Sequence, residues 1–278
     1  MKMSYLMVPH YMLDCVLIGT KPCKYFQLNS PHFNQQEGIF SKIEIDRLIP
    51  EKWRLAQFYD DGVTQPTRFP VFFKPEWGQN SSGILRADNE ADVVRIRRDI
   101  KGCRIRYLIQ EAAPETIEFE IFSILSDRDK NQYSQLTVTQ ATNQNEFYPV
   151  NSVYNPDTLY REITEDLTFD QLQGIWALLG EIERFPISRV GLRADSVENL
   201  LAGKFHIIEI NLFIPMPINM LDPQYGFFKL WKLGREYMMS LARITKVRNK
   251  SLKEKPVFTK QMLYNRSSRF LNFIRDHI

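Results

Sequence analysis

The sequence predicts an α+β fold, and three observations predict it. Runs rich in β-branched and aromatic residues, bounded by Pro and Gly, recur between residues 69 and 213. Two amphipathic helical stripes interrupt those runs, and after Gly226 the chain turns helical altogether. With 278 residues, 44% of them hydrophobic and 25% charged, the chain can bury a core as one large domain or two intimate small ones. The net charge of +3 is concentrated after Lys229, which argues against a nucleic-acid-binding surface spread over the whole chain. Cys15, Cys23 and Cys103 are lone thiols without CxxC spacing. That argues against a disulfide scaffold or a zinc site, and suggests a reducing, cytoplasmic setting. The early apolar run YMLDCVLIG carries Asp14 and is too short to span ~30 Å of hydrocarbon, and no convincing secretory signal is read before it.

Taken in order, residues 1–68 hold an apolar opening segment, the polar loop NSPHFNQQEG and a short helix SKIEIDRLI that stops before Pro50. Strands then begin with FPVFFKP at 69–75, followed by the Gly/Ser-rich GQNSSG. ADNEADVVRIRRDI reads as a helix with an apolar stripe and a charged outer face. RYLIQEA and IEFEIFSIL are two strands joined by a loop at Pro114, and 133–165 reads as strand and irregular loop. LTFDQLQGIWALLGEIERF is helical through Leu172, Ile175, Leu179 and Ile182. RVGLRAD and KFHIIEINL are strands with a turn, SVENLLAG, between them. The closing FFKLWKLGREYMMSLARITKVR is an amphipathic, cationic helix whose apolar stripe is either core packing or an interfacial face.

Four features carry chemistry. Lys74 ends a buried-looking strand ahead of Gly78, Ser81, Ser82 and Gly83, so an ammonium and closely approaching backbone N–H groups could meet phosphate oxygens there. The alternative is a surface hairpin. Glu111 and Glu118 bracket the link between two strands, where carboxylates can accept from an exocyclic amine or from ribose hydroxyls, unless they are a solvated acidic loop. Glu209 and Asn211 interrupt an apolar strand and share one of its faces about 7 Å apart. With Arg193 and Asp195 upstream, they form either a set of hard oxygen donors for Mg²⁺ or a buried ion pair between Glu209 and Arg193. Lys42 opens a helix after a Gly-containing loop, a place where a solvated lysine is usual.

In their order and spacing, KPEWGQNSSGI, YLIQEAAPETIEFEIF, GLRAD and IIEIN resemble the ATP-grasp superfamily, and within it the D-alanine–D-alanine ligase-like branch. Gly83 stands nine residues after Lys74, and the Glu118–Phe119 pair seven after Glu111, as in that branch. The segment GLRADSVENLLAGKFHIIEIN also looks like a poorly characterised bacterial subgroup, in which an Asn-x-Pro and Gly loop leads into Ser-Lys, as at Ser41–Lys42 here. The resemblance covers roughly residues 38 to 217.

The resemblance implies an α+β ATP-grasp fold: two α+β lobes with the nucleotide between them, a reduced N-terminal pre-grasp element and a helical C-terminus. Its domains are 1–68, the grasp domain 69–225 (lobes 69–113 and 114–225) and basic helices 226–278. It implies that Lys42 and Lys74 hold ATP phosphates under the 78–83 loop with Ser81, Ser82 and Gly83. Glu111 and the backbone of Ala113 would read adenine and Glu118 the ribose, while Asp195, Glu209 and Asn211 would hold Mg²⁺. Arg193 would neutralise the transferred phosphoryl group. The implied activity is a carboxylate–amine ligase acting through an acylphosphate, with a small carboxylate and an amine as partners. A small-molecule phosphotransferase, or a nucleotide-binding or membrane-associated protein with decayed catalysis, stands as an alternative. Peripheral membrane contact through the basic helices and homo-oligomerisation stay open. Where the branch continues Thr-x-Pro-Gly after the Glu-x-Asn strand, this chain reads LFIPMP, which argues against D-Ala–D-Ala synthesis.

Overall fold

Residues 4–78, 81–103, 105–248 and 254–263 are described by a computed structural model. Helix α1 (Ser4–Ile18) buries Met7, Tyr11, Asp14 and Cys15 along one stripe, at the spacing that places side chains on a single helical face. Helix α2 (Lys42–Asp46) starts where the Ser41 hydroxyl accepts from the Glu44 N–H, an N-cap that satisfies one of the first unpaired donors.

The first sheet contains β1 (Gln57–Tyr59), β2 (Val71–Pro75), β3 (Leu85–Ala87) and β4 (Tyr107–Glu111), arranged in space as β1-β4-β2-β3 with antiparallel neighbours. Strand alternation sends Val71, Phe73 and Ile109 to one face, where Val93 and Ile96 of α3 (Glu90–Asp99) close a small core. Phe72, Lys74 and Gln110 face the other way. Asn89 caps α3 by accepting from the Asp92 N–H at 3.0 Å.

The second sheet, in the order β7-β6-β5-β8-β9, is antiparallel throughout. Its strands are β5 (Ile117–Leu125), β6 (Tyr133–Asn143), β7 (Thr158–Glu162), β8 (Ile187–Ala194) and β9 (His206–Asn211). Helix α4 (Phe169–Gly180) is held by a full capping box between Thr168 and Gln171, and it buries Ile175, Trp176 and Leu179. Helix α5 (Val197–Leu201), capped by Ser196, joins β8 to β9. Along β5 one face changes character. Glu118 and Glu120 look into a cleft, whereas Phe122 further on packs against Tyr237 of α6 (Phe227–Arg248). The polar end of the sheet is thereby left for a site.

The apolar stripe of α6, including Tyr237, Leu241, Ala242 and Ile244, is buried. It packs against α1, with a Tyr11–Thr245 hydroxyl contact of 3.1 Å between the two helices. Lys232, Arg235, Arg243 and Lys246 form its exposed cationic side, and Phe227, Phe228 and Trp231 at its start are exposed as well. Among the described residues no helix is long and apolar enough to cross a membrane.

Two details depart from the sequence reading. Strands begin at Gln57 rather than at 69, because β1 is a three-residue edge strand too short for period-two alternation to register. The linker SVENLLAG is a capped helix rather than a simple turn, since the Ser196 hydroxyl takes the Asn199 N–H. Residues 79–80 of the Gly/Ser loop, together with 249–253 and 264–278 of the C-terminal zone, lie outside the described residues.

Candidate functional site

The polar face of β2 and β4 and the polar end of β5, β8 and β9 wall a cleft of about 830 Å³, its open mouth included. At one end lies the link from β4 to β5. Glu111, Ala112 and Ala113 line it there, and Leu55 and Phe72 add apolar surface to the wall. Glu118, the second residue of β5, sits next along the wall, where its carboxylate accepts from Asn151 Nδ2 at 3.1 Å and from Arg193 Nη2 at 3.4 Å.

At the other end, groups of both signs converge from the two sheets. Lys74, only 5% exposed, donates from Nζ to Gln110 Oε1 at 2.6 Å and to the Ile208 carbonyl at 3.4 Å. That carbonyl is available because β9 carries a bulge: Gly191 pairs with Glu209 and Leu192 with Ile207, leaving Ile208 as the extra residue. Asn211 Nδ2 donates to Glu209 Oε1 at 2.6 Å, as expected of two side chains on one strand face. Arg189 Nη2 lies 3.4 Å from the same oxygen. Arg189 Nε stands 3.1 Å from Glu120 Oε2 without the alignment of a hydrogen bond. Between the two carboxylates is Gly191. A Cβ there would come within 3.3 Å of Glu120 Oε1 and 3.4 Å of Glu209 Cγ, so the glycine leaves them room to approach.

Electrostatics separates these groups. Burial alone would raise Glu209, but Arg189, Lys74 and Lys42 together outweigh it and hold the carboxyl below its ordinary range. Glu120 goes the other way: burial, aided by Glu209 and Glu118 against the opposing pull of Arg189, lifts it to about 8. Burial also raises Glu118, against the pull of Arg193. Burial lowers Lys74, and it takes Lys42 down to about 8, with Glu209 opposing in both cases. One ionised carboxylate, Glu209, thus faces several cations, and among the described residues no group of three or more His, Cys, Asp or Glu side chains could hold a metal ion.

The structure brings most of the sequence-predicted residues together. Lys74, Ser81, Glu111, Ala113, Glu118, Arg193 and Glu209 line the cleft. Lys42, Gly78 and Asn211 line a smaller cleft that adjoins it at Lys74, Ile208 and Glu209. Lys42 opens α2 and donates to the Pro75 carbonyl at 2.7 Å. Ser81, in a left-handed conformation, donates to the Asn151 carbonyl. Ser82 and Gly83 are exposed on the outer side of the loop. Gly83 has φ +78° and stands close to Tyr107 and Pro75, a conformation that favours glycine.

Two expected residues are not where the sequence reading put them. Asp195 lies past the end of β8, exposed, and accepts from the Thr116 N–H at 3.2 Å, so it does not join Glu209 and Asn211. Arg193 is buried at the Glu118 end, donating to the Pro149 carbonyl at 3.1 Å, and not at the Glu209 end. The physical reason is register. Arg193 pairs directly with Glu118, which leaves Arg189 and Gly191 as the β8 residues beside Glu120 and Glu209. Sequence reasoning missed Arg189, Glu120, Gln110 and Asn151. Period-two alternation along SRVGLRAD and IEFEIF was the available signal for the first two, because Arg189 shares a face with Arg193 and Glu120 with Glu118.

No protein-family model matches the chain, and a comparison with curated proteins finds no match. Solved structures do match. The VanG D-Ala:D-Ser ligase from Enterococcus faecalis is 12% identical with a TM-score of 0.50, over 78% of this chain and 69% of that one. D-alanine–D-alanine ligase from Bacillus anthracis is 12% identical with a TM-score of 0.48, over 74% and 66%. An L-amino acid ligase from Bacillus licheniformis is 12% identical with a TM-score of 0.44, over 79% and 50%. This chain therefore spans between half and about two thirds of the length of these ligases. The likeness to the VanG ligase, with two antiparallel sheets walling one cleft, establishes the fold as ATP-grasp.

Proposed function

We propose that the protein is an ATP- and Mg²⁺-dependent carboxylate–amine ligase that works through an acylphosphate. One observation carries the reading: Lys42, Lys74 and Arg189 converge on Glu209, beside a cleft whose wall also includes the β4–β5 link at residues 111–113. Cations so placed suit a polyphosphate whose base lies at the β4–β5 link. Glu118 stands between the two ends, where a ribose would lie. Glu209 and Asn211 would hold Mg²⁺, and the ion would supply charge neutralisation to the phosphate oxygens.

In the first half-reaction a substrate carboxylate oxygen forms a bond to the γ-phosphorus. The bond from that phosphorus to the β,γ-bridging oxygen breaks, and ADP leaves with the electron pair. In the second, an amine adds to the acyl carbon, phosphate departs and the amine proton passes to solvent. Lys74 and Arg189 act by position and charge: each is fixed by its neighbours before the substrate arrives, so little reorganisation is needed when charge moves. Arg189 takes the role that the sequence reading gave to Arg193. Ser81, Ser82 and Gly83 would lie near the phosphates, with Ser81 and Gly83 both in left-handed conformations.

The test is ADP release that requires both a carboxylate and an amine, with an amide as product. A phosphotransferase would leave a stable phosphoester and form no amide. Undiminished turnover in Glu209→Ala would remove the metal assignment.

A further inference from the structure

A helix on the surface of a globular protein is ordinarily apolar on one side and polar on the other, and α1 is not. Its inner side carries Met7, Tyr11, Asp14 and Cys15, while Val8, Pro9, Met12, Leu13, Val16 and Leu17 on the opposite side are exposed. Val16 is 72% exposed. The helix has no Lys or Arg and its one carboxylate, Asp14, is buried, so no such charge stands on the outer face. Single apolar residues on a surface are ordinary, but six on one helical face make a contiguous patch of the kind that marks a contact site. The patch extends onto α6. The rings of His10 and Trp231 meet edge to face at 5.6 Å, and Lys246 Nζ donates to the Ile18 carbonyl at 2.6 Å, so the two helices run in the same direction side by side. Phe228, Trp231, Lys232 and Arg235 recur at i, i+3, i+4 and i+7 and share one face of α6, which Trp231 sets beside α1. Phe228 is 84% exposed. Arg243 and Lys246 continue the cations, and Glu236 is the one acid on that helix. Among the described residues Lys232, Arg235 and Arg243 form no ion pair, whereas Lys229 is held by Glu165 at 3.1 Å.

We infer that the outer faces of α1 and α6 form a docking surface for a membrane of anionic phospholipids. Charge selects this occupant. The acyl boundary would take the apolar side of α1 with Phe228 and Trp231, and lipid phosphates would take the unpaired guanidinium and ammonium groups, whose carbon stems can lie along the apolar strip. A tryptophan at the edge of such a strip sits where its ring is buried and its N–H stays wet. A second copy of this chain fits less well, because a two-fold contact through the same face brings two rows of cations to one seam with Glu236 as the one exposed acid of the two helices. Since no described helix is long and apolar enough to cross a membrane, α1 and α6 would lie in the plane of the interface. No residue of α1 or α6 lines either cleft, so this surface is independent of the nucleotide site.

The experiment is flotation of the intact protein with vesicles of phosphatidylcholine alone, or of phosphatidylcholine and phosphatidylglycerol in equal parts, at low and at high salt. Partitioning onto the anionic vesicles should exceed that onto the neutral ones by about tenfold or more, and should fall with salt without vanishing. Lys232→Gln combined with Arg235→Gln and Arg243→Gln should cut it about tenfold or more, and so should Val16→Asn combined with Leu17→Asn. Of the four tryptophans, Trp53, Trp77 and Trp176 are buried, so lipids with brominated acyl chains should quench Trp231. Trp231→Phe should remove that quenching while binding persists. The inference is overturned if the anionic vesicles bind no protein or bind no more than the neutral ones. It is overturned also if the Val16 and Leu17 substitutions leave partitioning unchanged, which would mean adsorption by charge alone. A dimer in sedimentation that those same substitutions dissociate, with no vesicle binding, would assign the face to a contact between copies instead. Should either set of substitutions prevent folding, the wild-type lipid preference and the quenching of Trp231 decide.

Discussion

Glu118 with Arg193 and Glu120 with Arg189 are the same chemical pair, built twice from the same two antiparallel strands. Their surroundings differ. Glu118 and Arg193 stand directly opposite each other in register, and Arg193 is spent on Glu118 and the Pro149 carbonyl at 3% exposure. Glu120 faces Gly191 instead, so Arg189 reaches it diagonally and also meets Glu209, whose side chain is 29% exposed. The first pair closes the wall of the cleft. The second shares one cation between two carboxylates and stays open to a ligand.

That contrast predicts unequal costs of removing the two arginines. Arg193→Met would strand a buried Glu118 and free the loop at Pro149, a loss of about 3–5 kcal/mol of stability. Arg189→Met should cost less, because Glu120 already favours its protonated form and Glu209 keeps Lys74 and Lys42 nearby. Chemical denaturation of the two variants checks this, and equal losses would erase the distinction between the two pairs.

Lys74 sharpens the comparison because it feels carboxylates of both pairs, Glu209 first and Glu118 second. Lys74→Ala should lower turnover by about 10²–10³-fold, the usual cost of removing one preorganised charge that stabilises a transition state. The same change should weaken AMP-PNP binding. Intact AMP-PNP affinity in Lys74→Ala would show that the cleft binds nucleotide through other groups.

A smaller effect lies in pH. Burial raises Glu120 from its ordinary range to about 8, so between those values the folded protein holds a proton that the unfolded chain has released. Stability from this group is therefore present at low pH and lost as pH rises toward 8. Asp46, raised to about 6, contributes in the same direction but lower on the scale, while Lys42, lowered to about 8, acts oppositely and only above that pH. Between pH 6 and 8 the wild-type Tm should fall by on the order of a few degrees relative to Glu120→Gln, which lacks the titration. A parallel pair of Tm–pH curves would place the proton elsewhere.

The two pairs also explain what the sequence made legible. Strand β2, α3, β4, β5, α4 and β9 each carry a strong period or a capping signal, and the motif order around Lys74, Glu118 and Glu209 pointed to the ATP-grasp fold before any coordinates. What was missed is a matter of pairing between strands. SRVGLRAD contains two arginines four residues apart on one face, and only the partner strand decides which stands at Glu118 and which at Glu209. An Arg-x-Asp pattern drew attention to Arg193 and Asp195. The register gives the position beside Glu209 to a glycine, a residue without a side chain for a motif to notice. The bulge at Ile208 is equally silent, since its contribution is a backbone carbonyl.

Gly191 is consequently where the finest test lies. Alanine in a strand gains a few tenths of a kcal/mol in backbone entropy over glycine, but here its Cβ must displace Glu120 Oε1 and Glu209 Cγ by a few tenths of an ångström. Glu120 Oε1 is the far end of a flexible side chain, so the opposing terms should nearly cancel and the stability change stay below about 1 kcal/mol. The Glu209 end is less forgiving. Pushing Glu120 and Glu209 apart alters where Arg189 sits between them, and a charge displaced within a preorganised site costs rate even when the fold is unaffected. Gly191→Ala should therefore lose about tenfold or more in turnover at near-constant Tm, whereas Leu192→Ala, next to the Glu118 pair, would lower Tm by emptying core volume and leave the open pair in place. Turnover and Tm falling together in Gly191→Ala would mean that this glycine serves packing alone.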